Sequence, residues 1–140
     1  NQLKPNSTTN TNYSGNSNVT IAFGSKINNI DLSTSNTADT VILNAAYKSN
    51  AFNAIKNFQA ADKIGLSSSV FGNLSADNID IGVGRTTANT AKSKILVDST
   101  TGSIFYDADA NGKASKAVKV AQFTKVANMS ISKTNFSFLS

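Results

Sequence analysis

Residues 95–109 read ILVDSTTGSIFYDAD, a stretch that favours β-structure. Two short runs, residues 94–98 and 104–107, are rich in apolar, β-branched and aromatic side chains, which favour strands. They flank residues 99–102 (Ser-Thr-Thr-Gly), whose small polar side chains and glycine favour a turn. The stretch therefore predicts a β-hairpin with its turn at 99–102.

Further strands are predicted on both sides of this hairpin. Residues 63–66, 79–83 and 118–123 have the length and apolar pattern of strands, and 131–139 add an apolar closing segment. Residues 44–58 allow either a helix or a strand ending at Phe58, and residues 74–77 resemble a helix start. We expect the core to contain Phe58, Ile64, Leu66, Phe71, Leu96, Phe105, Val120 and Phe123.

A faint repeat precedes these strands. Small turn residues and apolar residues each recur at intervals of nine, which is typical of a parallel β-roll. Each rung of such a roll is too small to bury its own apolar face, so neighbouring rungs must stack. The small residues are Gly15, Gly24 and Ser33, and the apolar ones are Phe23, Leu32 and Val41.

The composition favours strands and excludes several kinds of site. The 140 residues contain no Glu, His, Cys or Trp, whereas Asn, Ser and Thr together supply 52. Without His there is no Ser-His-Asp triad, and without Cys or His there is no ordinary zinc site or disulfide. Any metal would be a hard cation bound by oxygen. We predict that the chain is not an enzyme and has no catalytic residues.

The net charge of +5 does not indicate a nucleic-acid partner. The 13 basic residues are scattered, with the densest stretches at 92–94 and 113–119, and no aromatic RNA-binding motif accompanies them. No apolar run reaches the roughly 18 residues of a membrane helix. The composition, free of Cys and rich in polar residues, favours a secreted or cell-surface protein. Residues 1–12 are predicted to be a flexible polar linker before a single domain at 13–140.

The spacing D-x-D-x-N-G at residues 107–112 carries the most specific chemistry. Alternating carboxylate and amide oxygens followed by glycine form the first half of a calcium-binding loop. An EF-hand would need Glu eleven positions after Asp107, where Val118 stands. The alternative is an Asp/Asn/Gly turn between strands. The calcium candidates are Asp107, Asp109 and Asn111, with Asp98 a supplement across the hairpin.

Several motifs in a characteristic order resemble one protein family. The chain is similar to the C-terminal region of RTX (hemolysin-type calcium-binding) proteins, in which a β-roll passes into a hairpin and a final apolar segment. The motifs are DTVIL (39–43), AIKNF (54–58), DKIGL (62–66), the hairpin stretch 95–109, VKVAQF (118–123) and NFSFLS (135–140).

The resemblance implies an all-β fold, with a short degenerate parallel β-roll followed by antiparallel strands, a hairpin and one or two short helices. It also implies a C-terminal capping and type I secretion-targeting domain of a larger exported adhesin, S-layer or toxin-like protein of a Gram-negative bacterium. The partner during export would be the type I ABC transporter complex. By resemblance, the secretion signal includes Phe136, Phe138 and Leu139.

The chain departs from the family at its calcium-binding repeats. Aligning Val41 as the apolar residue of a repeat puts Asp39 at the ligand position, whereas the two preceding repeats hold Ile30 and Ile21 there. Ala110 also replaces the usual glycine of the hairpin motif. We therefore expect few calcium sites, and we expect folding without calcium. A surface-attachment or S-layer adhesive module remains the alternative function.

Overall fold

The computed structural model describes residues 2–3, 11–14, 20–23, 28–31, 40–43, 53–58, 61–110, 117–123 and 131–139. These residues are mainly strands, with one short helix and two 3-10 turns. The strands are β1 (Gln2–Leu3), β2 (Thr11–Ser14), β3 (Thr20–Phe23), β4 (Asn28–Asp31), β5 (Thr40–Leu43), β6 (Asn53–Lys56), β7 (Lys63–Ser67), β8 (Ile79–Gly82), β9 (Ile95–Asp98), β10 (Ser103–Tyr106), β11 (Val118–Phe123) and β12 (Phe136–Leu139). The helix α1 spans Ser68–Phe71, and the 3-10 turns span Ala76–Asn78 and Lys133–Asn135.

The first seven strands alternate between two sheets. One sheet has the order β1-β3-β5-β7-β12, and the other has the order β2-β4-β6-β11-β10-β9-β8. Strands β1, β3, β5 and β7 pair in parallel, as do β2, β4 and β6. This alternation is a parallel β-roll, so the predicted all-β fold with a short roll is confirmed.

The register of the roll differs from the predicted nine-residue period. Ile21 pairs with Val41 and Phe23 pairs with Leu43, so equivalent positions of β3 and β5 lie 20 residues apart. Two nine-residue half-turns would instead place Phe23 beside Val41. The paired positions are thus two residues further apart than two nine-residue half-turns predict. The paired residues still share one face of the sheet, because the register of β3 against β5 is kept. Leu32 lies outside the described residues.

The second half of the chain adds the predicted hairpin and three further parallel strand pairings. Strands β9 and β10 form the hairpin, and β11 pairs antiparallel with β10 and parallel with β6, which joins the hairpin to the roll. The predicted antiparallel pairing is confirmed for β9–β10 and β10–β11. Strand β8, in contrast, runs parallel to β9, and β12 returns to the first sheet to pair in parallel with β7.

The core lies between the two sheets. Val41 pairs with Ile64, which pairs in turn with Phe136, and all three are buried. The rings of Phe58 and Phe123 meet at 4.7 Å in a tilted arrangement. Seven of the eight predicted core residues are buried; the exception is Phe105, which is only half-buried. The register of β10 against β11 shifts between residues 104 and 105, which interrupts the alternation of buried positions there.

Three local predictions have mixed outcomes. The ambiguous segment 44–58 contains strand β6, while residues 44–52 lie outside the described residues. The helix start expected at 74–77 is a 3-10 turn over Ala76–Asn78. Within the predicted linker, residues 2–3 form β1 and residues 11–12 begin β2.

Candidate functional site

The carboxylate of Asp98 organises the turn of the hairpin. Asp98 ends β9 and is only 4% exposed. Its Oδ1 accepts backbone hydrogen bonds from Gly84 and Thr100, each at 2.9 Å, and its Oδ2 accepts one from the Thr101 hydroxyl at 3.0 Å. Its carbonyl accepts a bond from the Gly102 N–H at 2.8 Å. One side chain thus fixes both the hairpin turn and the segment after β8.

These hydrogen bonds keep Asp98 ionised. Burial alone would raise the pKa of its carboxyl group, but the donors on Thr100, Gly84 and Thr101 outweigh burial and hold the pKa below its ordinary value. Because both carboxylate oxygens already accept protein hydrogen bonds, the geometry gives Asp98 a structural role in the turn. The sequence-based assignment of Asp98 as a supplementary calcium ligand stays a prediction.

Gln122 connects the same turn to β11. Ser103 Oγ donates to Gln122 Oε1 at 2.7 Å, and Gln122 Nε2 donates to the carbonyl oxygens of Thr101 and Phe123. The Phe123 N–H donates to the Gly102 carbonyl at 2.7 Å. Gly102 has φ +77°, and a Cβ added there would lie 2.7 Å from the Phe123 carbonyl oxygen. The turn therefore requires glycine both for its conformation and for this close approach.

The calcium candidates Asp107 and Asp109 lie in the turn that follows β10. Asp107 is buried and Asp109 is half-buried. The Asp107 N–H donates to the Lys94 carbonyl at 2.8 Å, and the Ala110 N–H donates to the Asp107 carbonyl at 3.3 Å. Ala110 has φ +53°, a left-handed conformation that glycine adopts without strain. Ala110 thus has a backbone conformation for which glycine is suited.

The described residues contain no group of three or more Asp side chains positioned to share a metal ion. Two further calcium candidates, Asn111 and Asp39, lie outside the described residues. The oxygen ligands of Asp107 and Asp109 suit a hard cation in kind. The calcium assignment of these residues stays a prediction.

The residues assigned to the secretion signal form β12, the last strand of the five-stranded sheet. Phe136 is buried opposite Ile64, Phe138 pairs with Leu66 but is 38% exposed, and Leu139 is half-buried. A depression of about 110 Å³ opens beside Phe138. It is lined by Leu66, Ser68, Gly72, Asn73, Leu74, Phe138 and Leu139.

Comparisons with protein-family models, with curated proteins and with solved structures gave no match. In the described part of the chain, no helix has the length and apolar character needed to cross a membrane.

Sequence reasoning missed a turn that occurs twice and precedes an outer strand each time. The Ser75 N–H donates to Asn78 Oδ1 at 2.9 Å, and the Asn78 N–H donates back to the Ser75 carbonyl at 3.0 Å. Ser132 and Asn135 repeat both bonds, each at 3.0 Å. The signal is the pattern Ser-x-x-Asn followed by two alternating apolar residues, at residues 75–81 and 132–138.

The asparagine of each turn also attaches its strand to a neighbouring segment. Asn78 Nδ2 donates to the Lys92 carbonyl, and Asn135 Nδ2 donates to the Asp62 carbonyl, both at 3.0 Å. The Lys63 ammonium additionally donates to the Thr134 carbonyl at 2.7 Å. Strands β8 and β12 are therefore started and positioned by the same device, one in each sheet.

Proposed function

We propose that this chain is a capping and type I secretion-targeting domain of a larger exported bacterial protein. The observation that carries the proposal is the return of β12 to the first sheet, where it becomes the strand next to β7. The segment that the family resemblance assigns to export thus also covers the last strand of the roll.

Capping is supported by what lies beyond the last strands of the roll. A stack of parallel rungs leaves an unpaired strand at its end, and exposed strand edges promote aggregation. In the second sheet β11, β10, β9 and β8 continue past β6, while in the first sheet the short strand β12 pairs with β7 and becomes the outer strand in its place. Phe136 on β12 and Phe123 on β11 bury large apolar side chains at these positions.

Targeting is supported by the composition of the same strand. Residues 134–139 carry no charge and include Phe136, Phe138 and Leu139. A signal of this kind is read on the unfolded chain by the ABC transporter complex, and the same side chains pack after export. Packing and recognition therefore place compatible demands on β12, since both require apolar residues.

Export of a passenger tests the proposal. The passenger is fused before residues 1–140 in cells that make a type I ABC transporter, its adaptor and its outer-membrane channel. We expect the fusion in the medium, and we expect none when the transporter ATPase is inactivated. We expect Phe138→Ser to reduce export several-fold, whereas the matched change Val83→Ser, at a residue that is 83% exposed in the turn after β8, leaves export unchanged. Export that does not depend on the ATPase would contradict the proposal.

We further propose that calcium contributes little to folding and that any binding centres on Asp107 and Asp109. Inward apolar residues such as Val41 and Leu43, rather than repeated carboxylates, hold the described rungs together. A melting experiment in excess EDTA or in calcium should give the same midpoint, and titration calorimetry on wild type and Asp109→Asn would detect binding at the turn. A large drop of the midpoint in EDTA would contradict the proposal.

A further inference from the structure

Strands β8 and β12 begin with the same Ser-x-x-Asn turn, but β8 is attached along its whole length. At its start, Asn78 Nδ2 donates to the Lys92 carbonyl at 3.0 Å. In its middle, the carboxylate of Asp80 is bound by side chains of the segment that follows the strand. At its end, the Ser99 N–H donates to the Gly82 carbonyl at 3.0 Å. Strand β8 is therefore held at both ends.

The polar attachments of β12 lie only at its start. Asn135 Nδ2 donates to the Asp62 carbonyl at 3.0 Å in a buried bond, and the Lys63 ammonium donates to the Thr134 carbonyl at 2.7 Å in an exposed one. Among the described residues, no side-chain hydrogen bond or ion pair involves residues 136–139. Beyond the turn, β12 is therefore held by backbone pairing and apolar contacts alone.

These remaining contacts join β12 to one strand. Phe136 is buried opposite Ile64, and Leu139 packs over Gly65, where an added Cβ would lie 3.0 Å from Leu139 Cδ1. Phe138 is 38% exposed. Because β12 pairs only with β7 among the described strands, its release would leave the pairing of every other described strand intact.

We propose that β12 is a latched strand, which detaches from β7 while the other strands stay folded, and that Asn135 is the positioning residue that sets how often it detaches. The bonds between Ser132 and Asn135 are local, so the turn can persist in the detached segment. The bond from Asn135 to Asp62 exists only when β12 is docked. Without this donor, the docked state would contain an unsatisfied buried carbonyl, which raises its free energy.

Amide hydrogen exchange of the chain 1–140, followed by NMR at increasing urea below the unfolding transition, tests the inference, which goes beyond the proposed function and does not depend on it. Detaching one strand exposes little surface, so the protected amides of β12 should exchange at rates that change little with urea. The amides of β9 and β10 should exchange only through global unfolding and should depend steeply on urea. The same steep dependence for β12 would overturn the inference.

Two matched variants test the role of Asn135. Asn135→Asp keeps an oxygen that can accept from the Ser132 N–H but loses the donor to the Asp62 carbonyl, so exchange of β12 should accelerate by about tenfold or more while β9 is unchanged. Asn78→Asp removes the equivalent donor from β8 and should leave exchange of β12 unchanged. An Asn135→Asp variant in which β12 is unaffected, or in which all strands accelerate equally, would overturn the inference, as would acceleration of β12 by Asn78→Asp.

Discussion

The parallel roll and the hairpin segment are held together by different forces. In the roll, Val41, Ile64 and Phe136 form a continuous apolar row across neighbouring strands. In the hairpin segment, Asp98 and Gln122 connect three strands by hydrogen bonds to turn residues Thr100 and Thr101. The roll is therefore specified by which residues face inward, whereas the hairpin is specified by the chemistry of a few turn residues.

The largest loss of stability should come from shortening a side chain in the apolar row. Ile64→Ala removes a fully buried side chain between two other apolar residues, and should lower the free energy of unfolding by about 3–4 kcal/mol. Urea denaturation measures the change. Val83→Ala, at an exposed position, should change it by less than about 0.5 kcal/mol. A loss below about 1 kcal/mol for Ile64→Ala would mean that the apolar row contributes little to the stability of the roll.

A comparison of Gly102 with Gly84 separates the effect of the close backbone approach in the hairpin turn from the effect of a positive φ. Both Gly102 and Gly84 have positive φ, but only at Gly102 would a Cβ meet backbone, the Phe123 carbonyl oxygen at 2.7 Å. Gly102→Ala should therefore cost about 2–3 kcal/mol, whereas Gly84→Ala should cost about 1 kcal/mol from conformational strain alone. Equal losses for the two variants in thermal or urea unfolding would contradict the close approach.

The next largest loss of stability should come from removing the charge of Asp98. Asp98→Asn weakens charge-assisted hydrogen bonds and should cost about 1–2 kcal/mol at neutral pH. Because the folded-state pKa of Asp98 is depressed, its stabilisation is fully present above its ordinary pKa of 3.8 and is lost as the pH falls through the lower folded value. The gap between wild type and Asp98→Asn in urea unfolding should therefore close in strong acid. A gap that does not change with pH would exclude the charge as its cause.

The smallest predicted change is a gain in stability, from replacing Ala110 by glycine. Ala110 has φ +53°, so Ala110→Gly should relieve strain and raise the free energy of unfolding by up to about 1 kcal/mol. Ala91 lies in an exposed turn and is not among the residues with positive φ. Ala91→Gly should therefore lower stability by about 0.5 kcal/mol through greater freedom of the unfolded chain. Changes of the same sign in both variants would contradict the assignment of strain to Ala110.

The features that were predicted correctly from the sequence are those that depend on residues close together in the chain. The bounds of the strand at 118–123 and the turn at 99–102 were correct because alternation and turn chemistry are local properties. The partners of β8 and β12 were not predicted, since parallel pairing depends on where distant segments meet. The half-buried position of Phe105 was also missed, because a register shift within one strand leaves no mark in the apolar pattern.

The site residues show the same division. The roles of Asp98 and Gln122 in the turn depend on contacts between three strands, and the sequence marked Asp98 only as a possible metal ligand and Gln122 not at all. The Ser-x-x-Asn turns could have been found, because the same pattern precedes apolar alternation at 75–81 and again at 132–138.

The pairing of β12 with β7 has a consequence for how the chain reaches its native state. Phe136 and Ile64 lie about seventy residues apart in sequence, and the hairpin segment lies between them. Closing a loop of this length costs entropy before any contact rewards it, whereas the β9–β10 hairpin closes within a few residues. We therefore expect the hairpin to form early and the long-range pairing of β12 with β7 to form late.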